Sequence, residues 1–301
     1  MLVSWYQRLL TFFHPERFQG WGKKRSYFEG WYYKLIDRSA AHALALIPGI
    51  AWDQDGKGHA FVQVLDGSGK KARYHRFSPE HFTPAAHRIA VSILDHSFSD
   101  SQVKLDVEGC KGEVHFSNGV PWPKPFYSPG IMGPFAFVPF MECYHGIVSM
   151  YNDLEGQLTL DNHRTIDFTG GRGYIEKDWG RSFPSAYIWM QCNHFSRPGI
   201  SLKCSVARIP WLGSSFTGFI AGLWWNNQLL RFTTYNRSRL LRSSANWERV
   251  ELVLENPLYE IRISILRDAP TALASPILGL MEGRIEETRS EEHTSELQSR
   301  G

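Results

Sequence analysis

Gly173-Tyr174-Ile175-Glu176-Lys177-Asp178-Trp179-Gly180 is followed at once by Ser182-Phe183-Pro184 and then by Trp189-Met190-Gln191-Cys192-Asn193-His194-Phe195. This run packs acids, rings and amides into about two strands, where a purely structural sheet shows plain apolar and polar alternation. On a strand, residues two apart share a face. Tyr174, Glu176 and Asp178 therefore point one way, and Ile175, Lys177 and Trp179 the other. The following strand sets Tyr187, Trp189, Gln191 and Asn193 on one side, and a hairpin closed through residues 181–185 lets the two faces line one cavity. Two carboxyls that close in an apolar lumen cannot both ionise cheaply, so one is expected to stay protonated and act as a proton donor. The competing reading sets both acids at a solvated rim, paired with Lys177 or Arg181.

Working outward, short alternating runs at 31–36, 42–47, 59–65, 72–77, 88–94, 103–107 and 113–117 read as strands. Turn signals such as Asp53-Gln54-Asp55-Gly56 and Asp66-Gly67-Ser68-Gly69 separate them, giving a meander of antiparallel hairpins. Gly67-Ser68-Gly69-Lys70 lacks the spacing of a phosphate loop and reads as a hairpin turn. From Gly119 to Phe140, prolines alternate with Trp122, Phe126, Tyr127, Phe135 and Phe137. So many prolines exclude a central strand and so many rings exclude a disordered linker, leaving an ordered crossover whose aromatics pack into or across the body. A second β-rich stretch runs from Ile147 to about Leu266.

The expected architecture is all-β: two lobes of antiparallel sheet forming barrels or half-barrels, with a short N-terminal helix. Leu2, Trp5, Tyr6, Leu9, Leu10, Phe12 and Phe13 carry the helical spacing, read as a helix docked on the body or, alternatively, in peripheral contact with a membrane. The expected divisions are residues 1–25 for that helix and its lead-in, 26–145 for the first lobe with its crossover, 146–288 for the second lobe and 289–301 for a non-native tail. Residues 289–299 read as an in-frame translation of a sequencing adapter, so the natural sequence is expected to break off near Thr288.

Composition narrows the function. The 301 residues are 43% hydrophobic and include 11 Trp, 12 Tyr and 19 Phe, which suits β-structure around an apolar ligand cavity. A formal charge of +3 gives no argument for nucleic acid, and the cluster Arg237-Ser238-Arg239-Leu240-Leu241-Arg242 reads as a solvated loop or strand edge. Four Cys without a CxxC pair point to reduced thiols and a cytoplasmic setting. There is no signal sequence, bilayer-spanning run, nucleophile elbow, metal motif or dinucleotide fingerprint, so neither a metal nor a cofactor is expected. Two further segments carry polar groups among rings. Phe28-Glu29-Gly30-Trp31-Tyr32-Tyr33-Lys34 sets an acid before a glycine and three rings, and Phe140-Met141-Glu142-Cys143-Tyr144-His145-Gly146 places Cys143 beside His145 and Glu142 beside Tyr144. A Cys nucleophile with a His base at that spacing lacks a third orienting group, and a structural His145 is the better reading.

Tyr27 through Lys34, Ser128 through Gly133, Phe140 through Gly146 and Gly173 through Pro184, in that order, resemble the tocopherol cyclase family, with the likeness running from about Pro15 to Thr288. The resemblance is to its shorter bacterial members, since no plastid transit peptide precedes these blocks. It implies a calycin-like, lipocalin-related barrel, a fold shared with carotenoid hydratases, and closure of a prenylated quinol to a chromanol without a redox cofactor. On that footing Asp178 is the expected proton donor and Glu176 tunes it. Tyr174, Trp179 and Trp189 shape a cation pocket, and Gln191 and Asn193 hold the quinol head. Glu29, Trp31, Glu142 and His145 complete the candidate substrate-binding set. The competing functions are a carrier of an isoprenoid or quinone and a hydratase of isoprenoid alkenes.

Overall fold

Alternation of apolar and small residues over 27–117 produces the expected run of strands, and the computed structural model pairs them antiparallel into one curled sheet. It describes residues 11–139, 141–211 and 213–267, and the backbone of 271–272, 286–287 and 293–299. The strands are β1 (Tyr27–Ile36), β2 (Ala43–Trp52), β3 (Gly58–Asp66), β4 (Lys71–Phe77), β5 (Phe82–Pro84), β6 (Ala90–Ile93), β7 (His96–Ser99), β8 (Gln102–Val107), β9 (Cys110–Ser117), β10 (Cys143–Leu160), β11 (Thr165–Asp167) and β12 (Arg172–Gly180). Their spatial order is β4-β3-β2-β1-β12-β10-β9-β8-β7-β6-β5, with β11 on β10. The sheet closes toward itself, because Val62 and Val64 from one end share a core with Val91, Ile93 and Phe98 from the other. Phe82 of β5 packs against both Phe18 and Trp31.

The second unit begins at Pro184. It holds β13 (Tyr187–Cys192), β14 (Ser201–Trp211), β15 (Ser214–Trp225) and β16 (Gln228–Thr233) in one sheet. A second sheet contains β17 (Arg239–Ala245), β18 (Arg249–Glu255) and β19 (Tyr259–Leu266). Leu202, Cys204, Phe219 and Phe232 of the first sheet meet Leu252, Leu254, Ile261 and Ile263 of the second in one core. β20 (Thr271–Ala272) pairs with β21 (Glu286–Glu287), and β22 (His293–Ser299) pairs with β19.

The all-β, lipocalin-like expectation is the architecture observed, with differences in detail. The units part at 183/184 rather than at 145/146, because β10 and β12 complete the first sheet. The hairpin expected through residues 181–185 does not form. β12 already has β1 on one edge and β10 on the other, and β13 takes β14 as its partner. Residues 293–299, read as part of a non-native tail, lie along β19, whose outer edge offers backbone groups to any extended segment. The N-terminal helix falls mostly on residues 1–10, outside the described residues, and Thr11 and Phe12 are helical. Within the crossover Trp122 is buried, whereas Phe126 is 80% exposed and stacks edge-on against Tyr127 instead of packing inward. The basic cluster at 237–242 is a strand edge, β17. The turn at 67–69 is pinned by the Asp66 carboxylate, which accepts Ser68 N–H at 3.1 Å and Gly69 N–H at 2.8 Å. No helix of the described residues is long and apolar enough to cross a membrane.

Glycine is demanded by contact at Gly49, where an added Cβ falls 2.4 Å from the Phe61 ring and 2.6 Å from the Glu29 carbonyl oxygen. Gly49→Ala should therefore destabilise the first unit by about 1–3 kcal/mol, since neither ring nor backbone can yield freely. A urea midpoint equal to wild type would show that the Phe61 ring relaxes instead.

Candidate active site

β12 lies at the centre of the first sheet and is buried along almost its whole length. Its register with β1 places Gly30 opposite Asp178 and Tyr32 opposite Glu176. Its register with β10 places His145 opposite Asp178 and Ile147 opposite Glu176. Strand pleat then collects Gly30, Tyr32, His145, Tyr174, Glu176 and Asp178 on one face.

On that face the polar groups form a continuous chain. Tyr174 donates its hydroxyl to Glu176 Oε2 at 2.5 Å. Burial and the Glu176 carboxylate hold the Tyr174 phenol well above its ordinary range, so it stays protonated and Glu176 accepts. His145 Nε2 lies 3.3 Å from the same Glu176 oxygen, and His145 Nδ1 lies 2.5 Å from Asp178 Oδ1. Glu176 is 3% exposed, while the Asp178 side chain keeps 27% of its surface, so the chain runs from a dry interior end to an accessible carboxyl. The acids are thus partnered by His145, not by Lys177 or Arg181. A contact of this kind contains a proton between Asp178 and His145, whichever atom carries it.

The opposite face carries a second cluster. Lys177 Nζ is fully buried and lies 2.6 Å from Glu29 Oε1. It also donates to the carbonyls of Pro15 (2.9 Å) and Arg17. Glu29 in turn accepts Gln19 N–H at 2.9 Å and the Tyr27 hydroxyl at 2.5 Å. The ammonium sits 5.1 Å from the Trp31 ring and 4.5 Å from the Trp179 ring, and Trp179 stacks on Tyr144 with centroids 5.6 Å apart. Burial pushes the Lys177 ammonium below its ordinary pKa while Glu29 opposes that shift. This cluster ties residues 15–19 onto the barrel core.

The candidate set therefore divides. Tyr174, Glu176, Asp178 and His145 come together. Glu29, Trp31 and Trp179 face the other way and serve the Lys177 pair. Glu142 lies in the bend before β10, its carbonyl receiving the N–H groups of Arg181 (2.9 Å) and Ser182 (3.2 Å). Trp189 and Gln191 lie on β13 and Asn193 just beyond it, in the second unit. The sequence reading missed the aromatic group on the Asp178 face: Phe28, Phe61, Tyr74 and Phe183 with Ala51 and Ile47. Phe61 and Tyr74 stack with centroids 5.1 Å apart. Alternation within 59–65 was the available signal, but only strand order shows that this face is the one Asp178 shares.

His145, Glu176 and Asp178 each offer a ligand atom within 4.8 Å of the others, the one such group among the described residues. Nδ1 of His145 is already hydrogen-bonded to Asp178, and Nε2 lies 3.3 Å from Glu176, so a cation would have to displace the Asp178 contact or enter between Nε2 and Glu176.

An all-β, lipocalin-like protein with a buried Tyr–Glu–His–Asp chain opening at its aspartate is the class this fold and site define. Residues 120–289 match the tocopherol cyclase-like family, and the chain belongs to it. A probable chloroplastic tocopherol cyclase of Oryza sativa subsp. japonica is 26% identical over 151 residues, 48% of this chain and 32% of that protein. The alignment thus spans about a third of the rice protein's length. Among solved structures, CghA with Sch210972 is similar at a TM-score of 0.54 and 11% identity, covering 83% of this chain and 79% of that one. Kievitone hydratase from Nectria haematococca is similar at a TM-score of 0.50 and 12% identity, covering 80% and 77%. Both likenesses are of fold.

Proposed function

We propose that this protein closes a prenylated quinol to a chromanol by protonating the substrate's alkene at the Asp178 end of the chain. The observation that carries this reading is His145 held between a buried Glu176 and an accessible Asp178. The pair reacts in the form that carries one proton more than carboxylate plus neutral imidazole, and Asp178 gives that proton to the less substituted alkene carbon, leaving a tertiary cation, an Asp178 carboxylate and a neutral His145. The quinol oxygen attacks that cation, forming the C–O bond, and its own proton returns to the Asp178–His145 pair. Atoms balance without a redox partner: the reaction is an isomerisation.

After transfer, the carboxylates of Glu176 and Asp178 oppose the new positive charge, and the rings beside them add their π-faces. Folding the prenyl tail so that oxygen and alkene meet removes much of the entropic barrier. Family membership supports this class of chemistry, and the prenylated quinol is carried over from that family as the proposed substrate.

Incubation with prenylated quinols of differing ring methylation and tail length tests the reading, with products followed by mass spectrometry and chromatography. The expected result is conversion to a chromanol of unchanged mass. A product heavier by one water would instead identify a hydratase, and saturable binding without conversion a carrier; either would overturn cyclisation.

A further inference from the structure

Gly30 stands directly opposite Asp178, yet nothing in the fold requires glycine there. Its φ lies outside the left-handed region. An added Cβ would meet the Pro48 carbonyl at 3.5 Å, the Phe61 ring at 3.6 Å and Ile47 at 3.7 Å, all ordinary contacts. Its neighbours differ: Gly49 would drive a Cβ into Phe61, and Gly180 would drive one to 2.1 Å from the Glu142 carbonyl. Alanine would also suit a strand better than glycine, whose conformational entropy is lost on folding.

Gly30 is moreover accessible, as are Tyr32 and Lys34 further along β1 on the same face. It is part-exposed, as are Asp178 and His145 in the same cross-strand row, whereas Phe28, Phe61, Tyr174 and Glu176 around them are buried. Along that row Phe61 pairs with Gly49, Gly49 with Gly30, Gly30 with Asp178 and Asp178 with His145. An aromatic ring and an acid thus flank a gap with no side chain of its own.

We infer that Gly30 is a specificity-determining position: the space above it, between the Phe61 ring and the Asp178 carboxyl, receives the branched isoprenoid end of the substrate that is to be protonated. This rests on the cyclisation reading and specifies where its alkene sits. Because the gap is apolar on the Phe61 side and acidic on the Asp178 side, a trisubstituted alkene fits it better than a hydroxylated chain does.

Gly30→Ala and Gly30→Val test it, read first by binding. Quenching of tryptophan fluorescence by a geranylated hydroquinone gives Kd without requiring turnover, and thermal midpoints report folding. Gly30→Val should weaken binding about tenfold or more and Gly30→Ala by less, with the Gly30→Ala midpoint at or above wild type, since its methyl meets only ordinary contacts while strand propensity improves. Phe61→Leu added to Gly30→Ala returns volume beside the new methyl and should restore part of the affinity, which a merely structural role would not do. Wild-type affinity in Gly30→Val, or no saturable binding by the wild-type protein, overturns the inference. Binding that responds to Gly30 without conversion to chromanol would leave this site standing and remove the cyclisation reading alone.

Discussion

Asp178→Asn should lower turnover of a prenylated quinol by about 10²–10⁴-fold, the range lost when a general acid is removed. The amide is nearly isosteric with the carboxyl and can still meet His145 Nδ1, so the loss is one of proton delivery rather than of shape. Asp178 is the accessible end of the chain, and Glu176 behind it is occupied by the Tyr174 hydroxyl and by His145. Among the described residues no second acid is therefore placed to substitute. Steady-state kinetics and equilibrium binding should separate the effects: kcat falls while Kd stays within about threefold of wild type, less than 1 kcal/mol. His145→Gln should lower kcat as well, because it removes the group that shares the proton with Asp178. Wild-type turnover in Asp178→Asn would remove Asp178 from the mechanism.

The largest stability effect is expected on the other face. Glu29→Ala should destabilise the first unit by about 3–5 kcal/mol, the usual result of stranding one member of a buried ion pair. Lys177 would keep the carbonyls of Pro15 and Arg17 but lose Glu29, its one anionic partner at hydrogen-bonding distance among the described residues, in a site with no exposure to water. Glu29→Leu combined with Lys177→Met should recover most of the loss, because two apolar groups of similar volume remove both desolvation penalties together. Urea unfolding followed by tryptophan fluorescence would compare the single and double variants. A single Glu29→Ala variant as stable as wild type would mean that water reaches Lys177.

Much of this was legible locally. The alternating runs between 31 and 117 marked the meander, and the pattern at 259–266 marked β19. Alternation along Tyr174, Glu176 and Asp178 correctly separated them from Lys177 and Trp179. Trp179 was nevertheless assigned to the cation pocket, although its own parity sets it against Lys177 on the far face. Glu29 and Trp31 were misplaced for a different reason: which face of β1 meets which face of β12 depends on pairing across roughly 150 residues of sequence, and periodicity carries no record of that. Residues 181–185 looked like a hairpin turn joining β12 to β13, while both edges of β12 were already taken.

The period of two is a property of the extended backbone itself, so composition and spacing alone were enough to establish an all-β chain with a Tyr–Glu–Asp face. Register is not local. β10 reaches His145 opposite Asp178 only through an 18-residue strand bulged between Ile147 and Asn152, and a slip of one residue would turn His145 to the other side. The placement of His145 and of Gly30 on either side of Asp178 was therefore decided by tertiary pairing.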